Sequence, residues 1–380
     1  MRIAHVISSL NPGGGGLPKS AAAMASALAA QGEKCALIFL SAPGDSEKIE
    51  KAYGAFPGFD KIRIFPIPKC PWSMLSRAPI SRALHEFAPD IVHTHGLWEP
   101  LLARALQFAG QNKIPAVISA HSMLHPWHSA HHRFSKCCLK YVLGWKKQWR
   151  QAAFVHVLNE AEAGDWRKQG VDRTRLIPNG IFADEDLGSG AVALPELSGA
   201  DFLLSLARLH SQKAPDLLMQ AFALVQERYP DLHLVLAGPD YGMGKELRRL
   251  AVALGCEGRV HFPGELKGER KWGALHQCSG FCLPSRAEGF SLSLLEAALA
   301  GAPIVMSENC YFDELAEAGG ALLSGLEPGV LAENIIRVLN AGTSMGEAAR
   351  TLVLSEYTWE ILVGEFVDAY RMSLAPEGLK

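Results

Sequence analysis

Two α/β domains, each a parallel sheet covered by helices, are the fold class this sequence predicts. Three observations predict it. Short apolar runs alternate with helical stretches along nearly the whole chain, which implies parallel strands buried on both faces. At 380 residues the chain is long for one core, and two domains are the natural prior. The charge also divides. Residues 1–180 carry 22 Lys and Arg against 12 Asp and Glu, net +10, and the remainder carries 15 against 27, net −12, together the overall −2. A basic half joined to an acidic half suggests domains with different partners.

Taken in order, residues 3–7 read as a strand, 17–30 as an Ala-rich helix closed by Gly32, and 34–40 as a second strand. Residues 62–66, 91–94, 116–119 and 154–157 are further β-rich runs, with helical stretches near 76–87, 100–109 and 134–150. The second half repeats the logic, with strands at 202–209, 232–237, 260–262, 280–283 and 303–306. The turn Ile177-Pro178-Asn179-Gly180 marks a boundary, before an acidic, Gly- and Ser-containing stretch at 183–199. Tyr357-Thr358-Trp359 opens a last amphipathic helix reaching about Met372. The reading is two Rossmann-like domains, 1–180 and 181–356.

Several classes are disfavoured. Hydrophobic residues make up 48 % of the chain and mean hydropathy is +0.07, with no apolar run near the roughly 20 residues that span a bilayer. The opening Met1–Ile7 segment reads as a strand rather than a cleavable leader. Eight cysteines without a C-x-x-C pair suggest reduced thiols and a cytoplasmic setting. The acidic second half fits nucleic acid poorly.

The stretch Pro284-Ser285-Arg286-Ala287-Glu288-Gly289-Phe290-Ser291-Leu292-Ser293-Leu294-Leu295-Glu296 is the most informative. A buried strand precedes it, and 291–300 reads as a helix closed by Gly301 and followed by Pro303. Glu288 therefore sits in the turn. Glu296 sits on the helix, roughly 7 to 8 Å along the axis from Ser291 at about 1.5 Å per residue. Between them the amides of Phe290, Ser291 and Leu292 open the helix, where an anion or a sugar hydroxyl can be held. Acids on either side of such amides suit a sugar nucleotide.

The pattern E-G-F-S-L-S-L-L-E-A-A-L-A-G-A-P-I-V resembles the E-x7-E signature of retaining glycosyltransferase family 4. The resemblance extends through almost the whole chain. It implies the GT-B architecture, two Rossmann-like domains facing across a cleft, with the donor mainly on the C-terminal one and the final helix, within 357–380, crossing back. Glu288 would hold hydroxyls of the donor sugar and Glu296 the ribose, with Gly289 completing the donor turn.

Asn11-Pro12-Gly13-Gly14-Gly15-Gly16 follows the first strand and opens a helix. The resemblance puts Gly14, Gly15 and Gly16 beside the donor diphosphate and the acceptor; the spacing is not that of an NAD site. Ser205-Leu206-Ala207-Arg208-Leu209-His210-Ser211-Gln212-Lys213 resembles G-R-L-x-x-x-K-G. Arg208 and Lys213 would clamp the diphosphate and offset charge on the leaving group. Ala207 and Ala214 stand where the family has glycines.

Ser119-Ala120-His121-Ser122-Met123-Leu124-His125-Pro126-Trp127 resembles the H-G-M-L-x-P-W segment of a subset that builds exopolysaccharide and O-antigen chains, with Ser122 for Gly. His121 would contact the donor sugar or handle a proton. His95 and Trp98, in His93-Thr94-His95-Gly96-Leu97-Trp98, would line the acceptor side. Base recognition would fall to backbone near 263–266, including Leu266.

The histidines at 121, 125, 128, 131 and 132 are spaced too irregularly for a metal, and no metal or cofactor is expected. The helix at 134–150, with Lys136, Lys140, Lys146, Lys147 and Arg150 among Leu139, Tyr141, Trp145 and Trp149, admits docking at an anionic membrane. A surface helix with solvated lysines and buried aromatics is slightly favoured.

The implied activity is retaining transfer of a sugar, a hexose by preference, from a nucleotide diphosphate sugar to a glycan or polyprenyl-linked saccharide in cell-surface polysaccharide synthesis. The implied setting is cytoplasmic, with peripheral contact at the inner membrane face admitted. A GT-B nucleotide-sugar 2-epimerase and a non-catalytic glycan-assembly subunit are the alternatives.

Overall fold

The computed structural model describes residues 1–70, 76–129, 144–186, 194, 197 and 199–375. Most of the basic stretch singled out above, 130–143, lies outside the described residues. The chain divides into two compact units, Met1–Phe182 with Trp359–Lys380, and Ala183–Thr358.

The first unit holds a seven-stranded sheet in the order β3-β2-β1-β4-β5-β6-β7, parallel throughout. Its strands are β1 Arg2–Ile7, β2 Lys34–Ser41, β3 Arg63–Pro68, β4 Ile91–His95, β5 Ala116–Ser119, β6 Phe154–Val157 and β7 Thr174–Leu176. Central strands buried along their length, such as β4 and β5, need helices on both faces. One face packs under α1 (Gly16–Ala30) and the C-terminal helix Trp359–Leu374, around Ile3, Ile7, Leu37, Phe366 and Tyr370. The other packs under Ala78–Phe87 and Pro100–Gln111, around Val6, Ile38, Val92 and a tryptophan group.

Gly180 is where the last helix begins to dock. A Cβ there would come within 2.8 Å of the Trp359 ring, and the Trp359 amide donates to the Ile181 carbonyl at 3.0 Å. Only a residue without a side chain permits that approach.

The second unit holds six parallel strands in the order β10-β9-β8-β11-β12-β13. They are β8 Phe202–Leu206, β9 His233–Ala237, β10 Val260–His261, β11 Gly280–Leu283, β12 Ile304–Ser307 and β13 Ala321–Ser324. Helices Pro215–Val225 and Pro328–Leu339 cover one face around Leu203, Phe222, Leu234 and Ile335. Both sheets are thus Rossmann-like. In each, the loops leaving the strand C-termini carry the residues singled out in the sequence, as expected where open α/β sheets bind ligands.

Candidate active site

In the C-terminal unit the two signature glutamates each hold a lysine. Glu288 is 6 % exposed; its Oε1 accepts the Lys213 ammonium and, at 2.8 Å, the Ser285 hydroxyl. Glu296 is buried on the helix Leu292–Leu299 and accepts the Lys271 ammonium at 2.9 Å. Lys271 also lies 4.8 Å from the centroid of the Trp272 ring. Ser291 caps that helix without a side-chain bond to its amides; the Leu294 and Leu295 amides bond the Ser291 carbonyl at 3.2 and 3.4 Å, which leaves the Leu292 and Ser293 amides at the open end of the turn. The Phe290 ring packs on Phe312 and Tyr357, which anchors the backbone there. Arg208 lies 5.2 Å from the Tyr241 ring centroid, and Leu266 is buried beside Gly264, whose carbonyl takes the Gly238 amide at 2.8 Å.

A second set of bonds ties the Lys213 loop to the Glu288 loop. Arg286 forks onto both Asp216 oxygens at 2.9 and 2.6 Å and donates to the Ser211 carbonyl at 2.7 Å. Its amide donates to the Gln212 carbonyl, and the Gln212 side chain donates to the Ala287 carbonyl, each at 2.8 Å. Burial alone would raise the Asp216 carboxyl; the Arg286 fork outweighs it and holds it low.

In the N-terminal unit, Gly15 has φ 85° and ψ −149°, open only to glycine, and sets the entry to α1. Gly14 closes a short turn in which the Asn11 side chain accepts the Gly13 amide at 2.9 Å, and Gly16 is the first residue of α1. This loop leaves β1 beside a group of histidines.

Those histidines come together through strand register. His5 pairs with His93, His95 with Ser119, and Ser119 with His156, so all five side chains share one sheet face. Two hydrogen-bonded lines result. In the first, His156 Nε2 is 2.7 Å from the Ile177 carbonyl, so it carries a proton and leaves Nδ1 as acceptor. Ser119 Oγ therefore donates to His156 Nδ1 at 2.6 Å and accepts from His93 Nε2 at 2.6 Å. The Tyr370 hydroxyl must donate to His93 Nδ1 at 2.7 Å. A single carbonyl fixes every proton in that line.

The second line runs from His5 Nδ1 to His95 Nε2 at 3.0 Å and from His95 Nδ1 to His121 Nε2 at 3.4 Å. Burial pushes His5 and His121 down to about 3 and His156 to about 4; it also pushes His93 and His95 well down, with added repulsion among the rings. All five are neutral near pH 7.

Nitrogens of His5, His93 and His95 lie within 4.8 Å of one another. His93 already uses both of its nitrogens, so a three-histidine metal set would have to break the Tyr370 or Ser119 bond.

His95 is 1 % exposed, with its ring nitrogens turned to His5 and His121. Its ring is therefore closed to direct contact with a ligand, against the expectation that it lines the acceptor side. Trp98, at φ 70°, packs edge-on against Trp145 and Trp149 at 6.5 and 5.8 Å, and its ring belongs to that aromatic group. Trp145 and Trp149 are themselves buried, whereas Lys146, Lys147 and Arg150 are exposed. The tryptophans are thus not available to insert into a bilayer, and among the described residues no helix is long and apolar enough to cross one.

His121 and Ser122 both have left-handed backbone, φ 52° and 58°, and so does Ala214, φ 51°. Glu162, buried, holds the 121–122 turn: its Oε1 takes the Ser122 amide at 2.6 Å and its Oε2 the Leu158 amide at 2.9 Å. Burial lifts the Glu162 carboxyl to about 7, the two amide bonds moderating the rise. Ser122 and Ala214 stand where the resembling motifs carry glycine, so those departures are strained rather than neutral. Ser122→Gly and Ala214→Gly are each expected to raise stability by about 0.5–1 kcal/mol, measured as the urea midpoint. A lowered midpoint for either would mean that the side chain contributes more than the backbone costs.

Sequence reasoning missed Lys271, Arg286, Asp216, Glu162, His5, His93 and His156. Only strand register could have joined the histidines, and nothing local marks Lys271.

Two Rossmann-like parallel-sheet units are the GT-B architecture, and the family models make the chain a glycosyltransferase. Residues 14–185 match the model described as Glycosyltransferase Family 4, and residues 193–352 match Glycosyl transferases group 1. The two models take in most of the chain, which belongs to glycosyltransferase family 4. Among curated relatives, a GDP-mannose:cellobiosyl-diphosphopolyprenol alpha-mannosyltransferase of Xanthomonas oryzae is 24 % identical over 84 % of this chain and 84 % of its own. A putative glycosyltransferase, EpsF of Bacillus subtilis, is 31 % identical over 54 % of this chain and 52 % of its own. Among solved structures, HepE of Anabaena in complex with UDP and glucose superimposes with TM-score 0.78 at 19 % identity, covering 98 % of this chain and all of that one.

Proposed function

We propose that the chain transfers a hexose from a nucleotide diphosphate sugar, with retention, to a hydroxyl of a glycan or polyprenyl-linked saccharide in cell-surface polysaccharide synthesis. The observation that carries this reading is the pairing of Glu288 with Lys213 and of Glu296 with Lys271 beside the open first turn of the helix Leu292–Leu299. Two carboxylates, two ammonium groups and a row of amides match a sugar, a ribose and a diphosphate between them.

In the reaction, the bond from the anomeric carbon to the diphosphate breaks as the acceptor oxygen bonds to that carbon on the same face. The acceptor proton passes to the departing phosphate oxygen. Arg208, Lys213 and the helix amides stabilise the negative charge left there, a task that needs no metal. Glu288, held by Lys213 and the Ser285 hydroxyl, orients sugar hydroxyls and forms no covalent bond. Glu296 takes the ribose, and Gly14, Gly15 and Gly16 let the diphosphate come close. His121 is assigned a hydroxyl of the donor sugar.

The acceptor reading is supported by the polyprenol-linked substrate in the Xanthomonas relative's name. The donor panel starts from the GDP-mannose of that name and the UDP-glucose bound to HepE. Exposed Lys146, Lys147 and Arg150 supply attraction to an anionic leaflet, on the cytoplasmic side where nucleotide sugars are made.

Thermal shift against UDP-, GDP-, ADP- and CMP-sugars is the test, with slow donor hydrolysis as a second readout. One nucleotide class is expected to stabilise the wild type and leave Glu296→Ala unmoved. No shift and no hydrolysis with any donor would overturn the reading in favour of a non-catalytic assembly subunit.

A further inference from the structure

The line His5–His95–His121 ends inside the protein. His5 is fully buried, and its Nε2 has no hydrogen-bond partner among the described residues. At the other end His121 is partly exposed, and its Nδ1 makes no hydrogen bond among the described residues. The rings also pack on one another, His95 on His93 with centroids 4.4 Å apart, His5 on His95 at 5.3 Å, and His121 tilted against His95 at 5.7 Å.

Two proton registers fit these contacts. In one, His5 Nδ1–H donates to His95 Nε2, His95 Nδ1–H donates to His121 Nε2, and His121 keeps its proton on Nδ1. In the other every bond reverses, His5 carries its proton on Nε2, and His121 Nδ1 is bare. The second register buries an N–H with no acceptor, which native proteins rarely tolerate.

We propose that His5 and His95 are positioning residues that lock His121 in the Nδ1–H tautomer, so that the outward nitrogen only donates a hydrogen bond and cannot act as a general base. The ligand chemistry follows: a hydroxyl or phosphoryl oxygen of the donor, not a hydroxyl proton awaiting removal. This rests on the transferase reading for its ligand, though not for its tautomer. The Glu162 bond to the Ser122 amide serves the same end by fixing the backbone on which the ring stands.

Long-range 1H–15N correlation spectra of the full chain labelled with 15N-histidine read the tautomer directly, without substrate. His121→Asn assigns the signals. The expected spectrum shows His121 Nε2 as the unprotonated nitrogen in the wild type and in His5→Asn, whose amide overlays the ring Nδ1–H. His5→Val is expected to give a mixture.

In transfer assays His121→Asn, which keeps a donor where Nδ1 lies, should stay within about 10-fold of wild type, and His121→Ala and His121→Gln should each lose about 100-fold in kcat. His5→Asn should recover most of the kcat lost in His5→Val, with donor KM little changed in either. A His121 signal showing the Nε2–H form, or a His121→Asn variant no better than His121→Ala, would overturn the lock. Absence of transfer with every donor would fail the transferase reading and leave the tautomer result standing.

Discussion

Lys213→Met is expected to lower kcat by about 10²–10³-fold and to weaken nucleoside diphosphate product binding, as removal of one preorganised charge from a leaving group does. Two effects must be separated, because Lys213 also neutralises Glu288, whose carboxylate is 6 % exposed. Deleting one partner of a buried pair strands the other charge at a cost of about 3–5 kcal/mol. Lys213→Met alone should therefore lower both Tm and kcat. The double variant Lys213→Met/Glu288→Gln removes the stranded charge and should regain most of the Tm but none of the kcat. Steady-state kinetics, calorimetric binding of the product diphosphate and thermal melts on the three proteins make the comparison. Recovery of kcat in the double variant would reduce Lys213 to a structural partner of Glu288 and shift the diphosphate to Arg208 and the helix amides.

That coupling is also where reading the sequence stopped short. Glu288, Glu296, Arg208 and Lys213 were all legible, since each sits in a local pattern whose residue types and spacing carry meaning. Their partnerships were not. Lys213 and Glu288 are 75 residues apart, and the Arg286–Asp216 latch that brings them together spans 70. Sequence therefore assigned one group to phosphate and the other to sugar as if they were independent.

The strands tell a similar story. Apolar runs such as β5 and β11 were readable end to end because both faces are buried. The edge strand β7, Thr-Arg-Leu with Leu176 43 % exposed, has no pattern to betray it. β13, four residues following a Gly-Gly pair, is too short to stand out. The histidines escaped for a different reason. His93-Thr94-His95 looks like a polar end to a strand, and only the pairing of β1, β4, β5 and β6 shows that His5, Ser119 and His156 stand on the same face.

That buried cluster makes the N-terminal unit acid-sensitive in a measurable way. In an unfolded chain each histidine titrates near 6.5, whereas in the fold His5 and His121 are held near 3, His156 near 4, and His93 and His95 well down. A depressed histidine contributes stability that is full above the unfolded value. That stability is lost as pH falls below 6.5, because the unfolded state then binds protons the fold refuses. Glu162 works in the opposite direction. Raised to about 7, it holds a proton in the fold that an unfolded glutamate gives up above about 4.3, so it adds stability as pH falls from 7 toward 4.3. His5, His121 and His156 against Glu162 leave about two protons taken up on unfolding between pH 6 and 5, roughly 2–3 kcal/mol per pH unit, with His93 and His95 acting in the same direction as the other histidines. Tryptophan fluorescence isolates the effect, since of eight tryptophans only Trp272 falls within 183–358. Urea midpoints followed by fluorescence from pH 7.5 to 5 should fall steeply, and His5→Asn should remove about one proton from the slope. An uptake below one proton would mean that the imidazoles accept charge inside the fold, and that the two hydrogen-bonded lines open well before the unit unfolds.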